Sequence, residues 1–316
     1  MQHLRDLQSI NIPRAEAAVG TFDGVHRGHA MLLSSMVTSA HNLNLPAVVV
    51  TFWPHPAVVL RGLANPYVLT MPEERAELFG KLGVDYVLTL PFDTEMAAQS
   101  PDEFMQRLVE RTGISKLWLG PDFALGRGRK GNVPYLSELG ERLGYTVAVV
   151  HPLASDKDII SSTRIRKWLS DGQVVRAGQE LGRWYQLTGL VVHGDGRGRK
   201  INIPTANLSL PPEKLLPANG VYATRAWVDG WGFNSVTNIG VRPTFDSPTP
   251  SPQVETHIME FTGDIYGQSL QLEFVARLRD EMKFNSVEAL ITQIKLDTDR
   301  AKEILTDARR PPNLYA

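Results

Sequence analysis

The chain contains no cysteine. That excludes disulfides, cysteine-ligated zinc and a cysteine nucleophile, and it fits a reducing cytoplasm. No apolar run approaches the roughly 20 residues that a membrane span needs, and Met1-Gln2-His3-Leu4-Arg5-Asp6 lacks the apolar centre of a signal peptide. Excess charge of one sign is missing too: 33 Lys+Arg face 34 Asp+Glu, a net charge of -1. The chain therefore offers no global basic field for nucleic acid or for a membrane surface. The string G-x-x-x-x-G-K-[ST] does not occur, which excludes a P-loop kinase. Low-complexity tracts and solenoid periods are also missing. The remainder is ordinary globular composition, 42% hydrophobic and 21% charged over 316 residues, enough for two domains with separate cores. An oligomer stays open.

The most informative stretch is Val19-Gly20-Thr21-Phe22-Asp23-Gly24-Val25-His26-Arg27-Gly28-His29. It ends an apolar run, passes through glycines and enters a helix-like segment, 30–40, which is the grammar of a strand, a tight turn and a helix N-terminus. Such a terminus offers free N–H groups and partial positive charge to phosphate. Gly20, Gly24 and Gly28 allow close backbone approach. His26 and His29, three apart, are expected on one face of the first helical turn. There they can donate to charge that develops during group transfer.

Residues 16–52 read as strand, helix, strand. Further strands are expected at 84–90, 117–119 and 145–150, with helices between. One helix opens at Ser100-Pro101-Asp102-Glu103, a capping serine with Glu three residues on, and another at Pro134. Alternation of this kind predicts an α/β domain with a largely parallel sheet, its ligand at the carboxyl ends of the strands. Three more pieces belong near that edge. In Thr51-Phe52-Trp53-Pro54-His55-Pro56, prolines on both sides of His55 hold an extended loop after a strand, and a rigid turn with an exposed His is the plain structural reading. Residues 126–131 match G-x-G-x-x-G, but no strand runs directly into Gly126 and Pro134 delays the helix, so a dinucleotide fingerprint is rejected. A loop bearing Arg127, Arg129 and Lys130 is expected to close over phosphate, or else to be a solvated turn. In Ile160-Ser161-Ser162-Thr163-Arg164-Ile165-Arg166, Ser162 or Thr163 is expected to cap a helix and form a second anion site.

These residues resemble the H-x-G-H signature of the nucleotidyltransferase superfamily. With T-F-W-P-H-P, G-P-D-F-A-L-G and I-S-S-T-R-I-R in order, residues 15–180 are similar to its flavin adenylyltransferase branch. The resemblance implies a Rossmann-like nucleotidyltransferase domain in which His26 and His29 contact ATP phosphates and stabilise adenylyl transfer. It implies that Gly20, Phe22, Asp23, Gly24, Asp122 and Arg127 belong to the ATP site, that Ser161, Ser162, Thr163 and Arg164 bind the triphosphate, and that His55 and Pro56 lie on the flavin loop. Asp122 stands where relatives vary between Asp and Asn. Trp53 stands where they often carry a polar residue, and nothing is carried over for it.

After Tyr185 the grammar changes. Residues 165–184 look helical, with Gly172 and Gly182 as stops, and then come short β runs punctuated by Gly, Pro, Asn and Asp. Residues 221–228, Asp229-Gly230 and 231–239 predict a hairpin with a type I′ turn. Strands are expected at 254–258 and 271–275. A terminal helix is expected over 286–305, with Leu290, Ile294 and Leu296 inward and Lys295, Asp297, Asp299 and Arg300 solvated. The pattern predicts a small antiparallel barrel with a C-terminal helix. Its chemical candidate is Gly194-Asp195-Gly196-Arg197-Gly198-Arg199-Lys200-Ile201-Asn202-Ile203-Pro204-Thr205-Ala206-Asn207. A Gly-rich basic loop, including Gly194, Gly198 and Arg199, can wrap phosphate. Thr205 and Asn207 share one face of an extended segment and offer hard oxygens suited to Mg²⁺. A decorated hairpin is the plain structural reading of the same loop.

The P-T-A-N string resembles that of riboflavin kinases, and Pro217 to Tyr222, Asn238 to Phe245, Val254 to His257 and Tyr266-Gly267 match the same family in order. The resemblance implies a six-stranded barrel, Thr205 and Asn207 as ligands of Mg²⁺ and ATP phosphate, and Glu255 as general base toward the riboflavin 5′-hydroxyl. Asn202 stands where relatives usually carry Gly. Together the two resemblances imply a bifunctional enzyme with its division at 1–182 and 183–316. It would take riboflavin to FMN and FMN to FAD, with ATP as co-substrate and Mg²⁺ in both steps. The rival readings are a flavin-binding regulator and an enzyme that keeps one activity only.

Overall fold

In the computed structural model the described residues are 1–63, 66–151, 154–155, 158–194, 196, 198, 201, 203–241 and 252–308. The described residues divide into two compact units, one from Met1 to Ser162 and one from Thr163 to Ala308.

The first unit contains β1 (Gln2–Leu4), β2 (Ala15–Val19), α1 (Arg27–Asn42), β3 (Ala47–Trp53), α2 (Pro56–Arg61), α3 (Pro72–Lys81), β4 (Tyr86–Pro91), α4 (Thr94–Ala98), α5 (Pro101–Thr112), β5 (Ile114–Leu119), β6 (Ala124–Leu125), β7 (Gly131–Asn132), α6 (Val133–Leu143), β8 (Thr146–Val149), β9 (Ala154–Ser155) and β10 (Asp158–Ile159). Six strands form one parallel sheet in the order β1-β4-β3-β2-β5-β8. Strand β2 is buried along its whole length, as a central strand covered on both faces must be. Apolar clusters lie on the two faces, one around Leu88, Met105 and Leu117, the other around Leu33, Val49 and Phe79. The chain runs from β2 toward β3 on one side and returns at β5 on the other. The carboxyl end of β2 is thus the switch point where open α/β sheets bind ligands.

Local signals explain the helix boundaries. Ser100 and Glu103 form the expected reciprocal cap at the start of α5. Gly113 in the left-handed region ends the same helix, and a Cβ there would lie 2.2 Å from the Pro13 carbonyl oxygen.

The second unit takes in α7 (Ser162–Ser170) from its second residue, then α8 (Val174–Leu181), β11 (Tyr185–Val192), β12 (Ala206–Ser209), β13 (Gly220–Val228), β14 (Trp231–Val241), β15 (Pro252–Ile258), β16 (Ser269–Arg279) and α9 (Val287–Asp307). Its strands close as an antiparallel barrel in the order β11-β12-β15-β14-β13-β16. The expected hairpin is present: Asp229 and Gly230, at φ 48° and 83°, join β13 to β14, the positive φ pair that a type I′ turn needs. Inside the barrel, Thr224 bonds to Ser235 and Thr237 at 2.7 Å, and Thr237 bonds to Thr256. This buried hydroxyl chain ties β13, β14 and β15 in register. Because Thr256 points inward, Glu255 points outward.

Helix α9 departs from expectation. Its buried stripe is Asp297, Ala301 and Leu305, whereas Leu296 is 58% exposed. Asp297 takes a bidentate grip from Arg279 on β16, at 2.7–3.0 Å, and a further bond from Gln293 at 2.9 Å. Pairing lets the carboxylate enter the interface and rotates the helix away from its apparent apolar face.

Candidate functional site

In the first unit the site is built on the turn after β2. Val25 N–H closes back on the Phe22 carbonyl at 3.0 Å. Phe22, Gly24 and Val25 all have positive φ, at 46°, 82° and 37°. For the aromatic and β-branched residues this is strain of about 1–3 kcal/mol each, kept only where the surroundings over-determine it. Asp23 supplies one constraint. Its fully buried carboxylate accepts from Leu69 N–H at 3.0 Å, from Thr70 N–H at 3.0 Å and from the Thr70 hydroxyl at 3.2 Å, while Gly24 N–H donates to Thr70 Oγ1 at 2.9 Å. Asp23, expected in the ATP site, is in these bonds a tie between the turn and residues 69–70.

His26 is the N-cap of α1 rather than a member of its first turn, and its Nδ1 accepts from His29 N–H at 3.3 Å. The two rings stack with centroids 3.6 Å apart and 18° between planes, and the Phe22 ring meets His29 edge-on at 5.3 Å. His29 Nδ1 is enclosed with no hydrogen-bond partner. Burial first, then the neighbouring His26 and Arg75, push the His29 pKa well below the ordinary 6.5. The ring is neutral at pH 7.

Ser162 Oγ donates to the Asp23 carbonyl at 2.7 Å, so the first and last motif pieces of this unit meet. Helix α7 begins at Ser162, and Ser161 is partly exposed just before it. Thr163 is exposed, and Arg164 pairs its Nε with Glu180 at 2.7 Å, bridging α7 to α8. His55 is buried rather than exposed: it caps α2 by accepting from Ala57 N–H at 3.1 Å, and Pro56 opens that helix where an extended loop was expected. The G-x-G-x-x-G stretch is a β6–β7 hairpin, which accords with rejecting a dinucleotide fingerprint. A Cβ at Gly126 or Gly131 would strike Pro101 at 2.8 or 2.9 Å. Arg127 is exposed, and Arg129 donates to the Asp122 carbonyl at 2.9 Å.

A cavity of about 340 Å³ draws three of these pieces together: Gly20 and Thr21 of the turn, His55 and Pro56 of α2, and Arg129 of the hairpin. Phe52, Phe92, Phe104 and Phe123 give it an aromatic lining. Phe92 and Phe104 lie outside every motif read from the sequence, since nothing in sequence says which phenylalanines turn toward one cavity.

In the second unit, Asn207 on β12 lies directly opposite Glu255 on β15, and Glu255 lies opposite Asn238 on β14. Directly paired residues share a face, so a carboxylate stands between two carboxamides on the outer face of the barrel. A Cβ on Gly194 would lie 2.3 Å from Asn207 Nδ2, and one on Gly198 would lie 2.3 Å from the Ile203 carbonyl oxygen. Gly194 therefore makes room for Asn207, and Gly198 for the backbone that leads into the P-T-A-N segment. Beside it a cavity of about 270 Å³ is lined by Thr205, Thr256, Phe261, Asp264 and Tyr266 among others. Arg199 and Asn202 lie outside the described residues.

Comparison with known proteins matches this two-part geometry. The FAD synthetase family model matches residues 10–164 and the riboflavin kinase family model residues 181–305. A bifunctional riboflavin kinase/FMN adenylyltransferase of Bacillus subtilis is 34% identical over 296 residues, 93% of each chain. One from Pseudomonas fluorescens is 36% identical over 289 residues, 91% of this chain and 92% of its own. The chain belongs to the bifunctional riboflavin kinase/FMN adenylyltransferase family. A crystal structure from Streptococcus pneumoniae, described as a macrolide-efflux protein, superposes with TM-score 0.85 at 31% identity, over 95% of this chain and 98% of its own. Among the described residues of the present family member, no helix is long and apolar enough to cross a membrane.

Thr205 and Asn207 suit a magnesium ion that arrives with nucleotide phosphate. Both present hard neutral oxygens beside the Glu255 strand, in a cradle that a side chain at Gly194 would fill. Among the described residues no group of three or more His, Cys, Asp or Glu could hold a metal. Mg²⁺ keeps several waters and leans on substrate phosphates, so two neutral protein oxygens suit it.

Proposed function

We propose that the barrel phosphorylates the riboflavin 5′-hydroxyl with one ATP, that the parallel-sheet unit adenylylates the resulting FMN with a second ATP, and that the two activities divide between residues 1–182 and 183–316. The observation that carries the first half is the register of Glu255 between Asn207 and Asn238. Glu255 takes the hydroxyl proton as the oxygen bonds to the γ-phosphorus and ADP leaves. Thr205 and Asn207 hold Mg²⁺ and the phosphates, with Gly194, Gly198 and Arg199 in the loop that wraps them. When bound, Mg²⁺ neutralises phosphate charge.

For the second half, the 340 Å³ aromatic cavity takes the isoalloxazine ring, within the size range of small-molecule pockets. An FMN phosphate oxygen attacks the ATP α-phosphorus and pyrophosphate leaves. His26, His29 and the turn's backbone N–H groups stabilise the charge that develops there. Arg127, Arg129 and the Ser161–Arg164 segment meet the nucleotide phosphates. The lack of cysteine suits work in a reducing cytoplasm.

The test is chromatography of products from riboflavin and ATP, with Mg²⁺ and with a chelator. FMN followed by FAD is expected with Mg²⁺ and neither with the chelator. FMN without FAD at saturating ATP would refute the two-step reading.

A further inference from the structure

Helix α3 lies outside every motif from which the site was read, yet it carries the underside of the catalytic turn. Arg75 in its first turn is 1% exposed, one of the largest fully buried side chains. Its Nη1 donates to the Thr21 carbonyl at 2.6 Å and its Nη2 to the Phe52 carbonyl at 3.4 Å. Those two carbonyls lie at the carboxyl ends of β2 and β3, neighbouring strands of the sheet, and the end of β2 is the switch point. Thr51 Oγ1 shares the Thr21 carbonyl at 3.1 Å. One helical turn further on, the Phe79 ring meets the Phe22 ring edge-on at 5.8 Å. Thr70, just before α3, binds both Asp23 and Gly24. The strained residues Phe22, Gly24 and Val25 are thus held from below by one short stretch, residues 69–79.

An arginine buried this deeply loses its hydration, so its place needs a reason beyond packing. The Asp23 carboxylate is its principal favourable charge. The same carboxylate clamps the turn, so cation, clamp and turn form one unit.

We propose that Arg75 is a positioning residue for adenylyl transfer, a buried cation that ties the backbone at the ends of β2 and β3 together and so holds the Gly20–His29 turn in the shape that aims its N–H groups and histidines at phosphate. The inference rests on the adenylyl-transfer reading of this unit. It differs from a plain packing role in one respect: the positive charge and the paired donors matter, not only the volume.

The test uses the full chain and two variants, Arg75→Met and Arg75→Lys. FAD formation from FMN, FMN formation from riboflavin, and thermal melting are measured for each. Misaligned donors to a developing oxyanion typically cost about 10²–10³ in rate, so folded Arg75→Met is expected to lose about 10² or more in kcat for FAD. Its KM for FMN stays within about threefold and riboflavin phosphorylation within about twofold of wild type. Arg75→Lys keeps the charge and one donor group and regains at least about tenfold. Should Arg75→Met unfold, Arg75→Lys decides alone: about a tenfold loss in kcat at unchanged KM for FMN supports the role, and unchanged kcat overturns it. Folded Arg75→Met with kcat near wild type, or Arg75→Lys no better than Arg75→Met, also overturns it. A wild-type chain that forms no FAD refutes the reading beneath it, and the inference with it.

Discussion

His29 links the architecture of the turn to a measurable pH dependence. Its Nδ1 is enclosed, its ring stacks on His26 at 3.6 Å, and Arg75 lies close enough to oppose a second positive charge. The folded state therefore keeps the ring neutral well below 6.5, whereas the unfolded chain protonates it near 6.5. The unfolded state binds the extra proton, so stability is full above about pH 6.5 and falls as pH drops toward the folded pKa. At about pH 5.5, one unit below the unfolded value, the loss is RT ln 11, about 1.4 kcal/mol. This is an upper bound, because His29 as a whole residue is only partly buried. For a unit of this size the loss corresponds to roughly 3–5 °C in Tm. The assay is thermal melting from about pH 7.5 to 5.5 for wild type and His29→Gln, which cannot take up the proton. The wild type is expected to lose up to that much more stability than the variant over the interval, and pyrophosphate, by favouring the imidazolium, to shrink the difference. Parallel pH dependences without ligand would refute the reasoning.

Two further outcomes test other parts of the structure. Gly194→Ala places a methyl 2.3 Å from Asn207 Nδ2; displacing that amide is expected to cut kcat for riboflavin phosphorylation by about 10–100-fold, with FAD formation from FMN preserved, and equal effects on both would place the glycine elsewhere in the chemistry. Asp297→Ala strands the Arg279 guanidinium at the α9–barrel interface and is expected to cost the barrel unit about 3–5 kcal/mol by denaturant unfolding, whereas an unchanged midpoint would mean the pair is incidental.

Much of the fold was legible because its signals are local. The capping box at Ser100 and Glu103, the Asp229-Gly230 turn, and the glycine stops at 172 and 182 each depend on a few adjacent residues. What escaped depends on distant partners. Asp297 reads as solvated until Arg279, 18 positions upstream, is seen to grip it. Strand β1, Gln2–Leu4, is too short and too exposed to signal itself, and gains its identity by pairing with β4.

The site divides in the same way. Gly20, Gly24, Gly28, His26 and His29 could be named from glycine spacing and helix grammar. The stacking of the two imidazoles could not, because His26 turned out to cap the helix rather than join it. Arg75 could not be named either: its two carbonyl partners lie 54 and 23 residues away. The approach of Glu255 to Asn207 and Asn238 likewise depends on barrel register, which the buried hydroxyl chain fixes and no local pattern announces.

The central claim is that two chemistries reside in separate parts of one chain. The measurement that tests it most directly is the pair of half-reactions in His26→Ala and Glu255→Ala, with circular dichroism to confirm folding. His26→Ala is expected to lose about 10²–10³ in FAD formation from FMN while FMN formation from riboflavin continues. Glu255→Ala is expected to lose about 10²–10⁴ in FMN formation while supplied FMN still becomes FAD, since that attack comes from an existing phosphate and needs no proton from an alcohol. A folded His26→Ala variant that loses both activities equally, or a Glu255→Ala variant that also stops making FAD from FMN, would contradict the account.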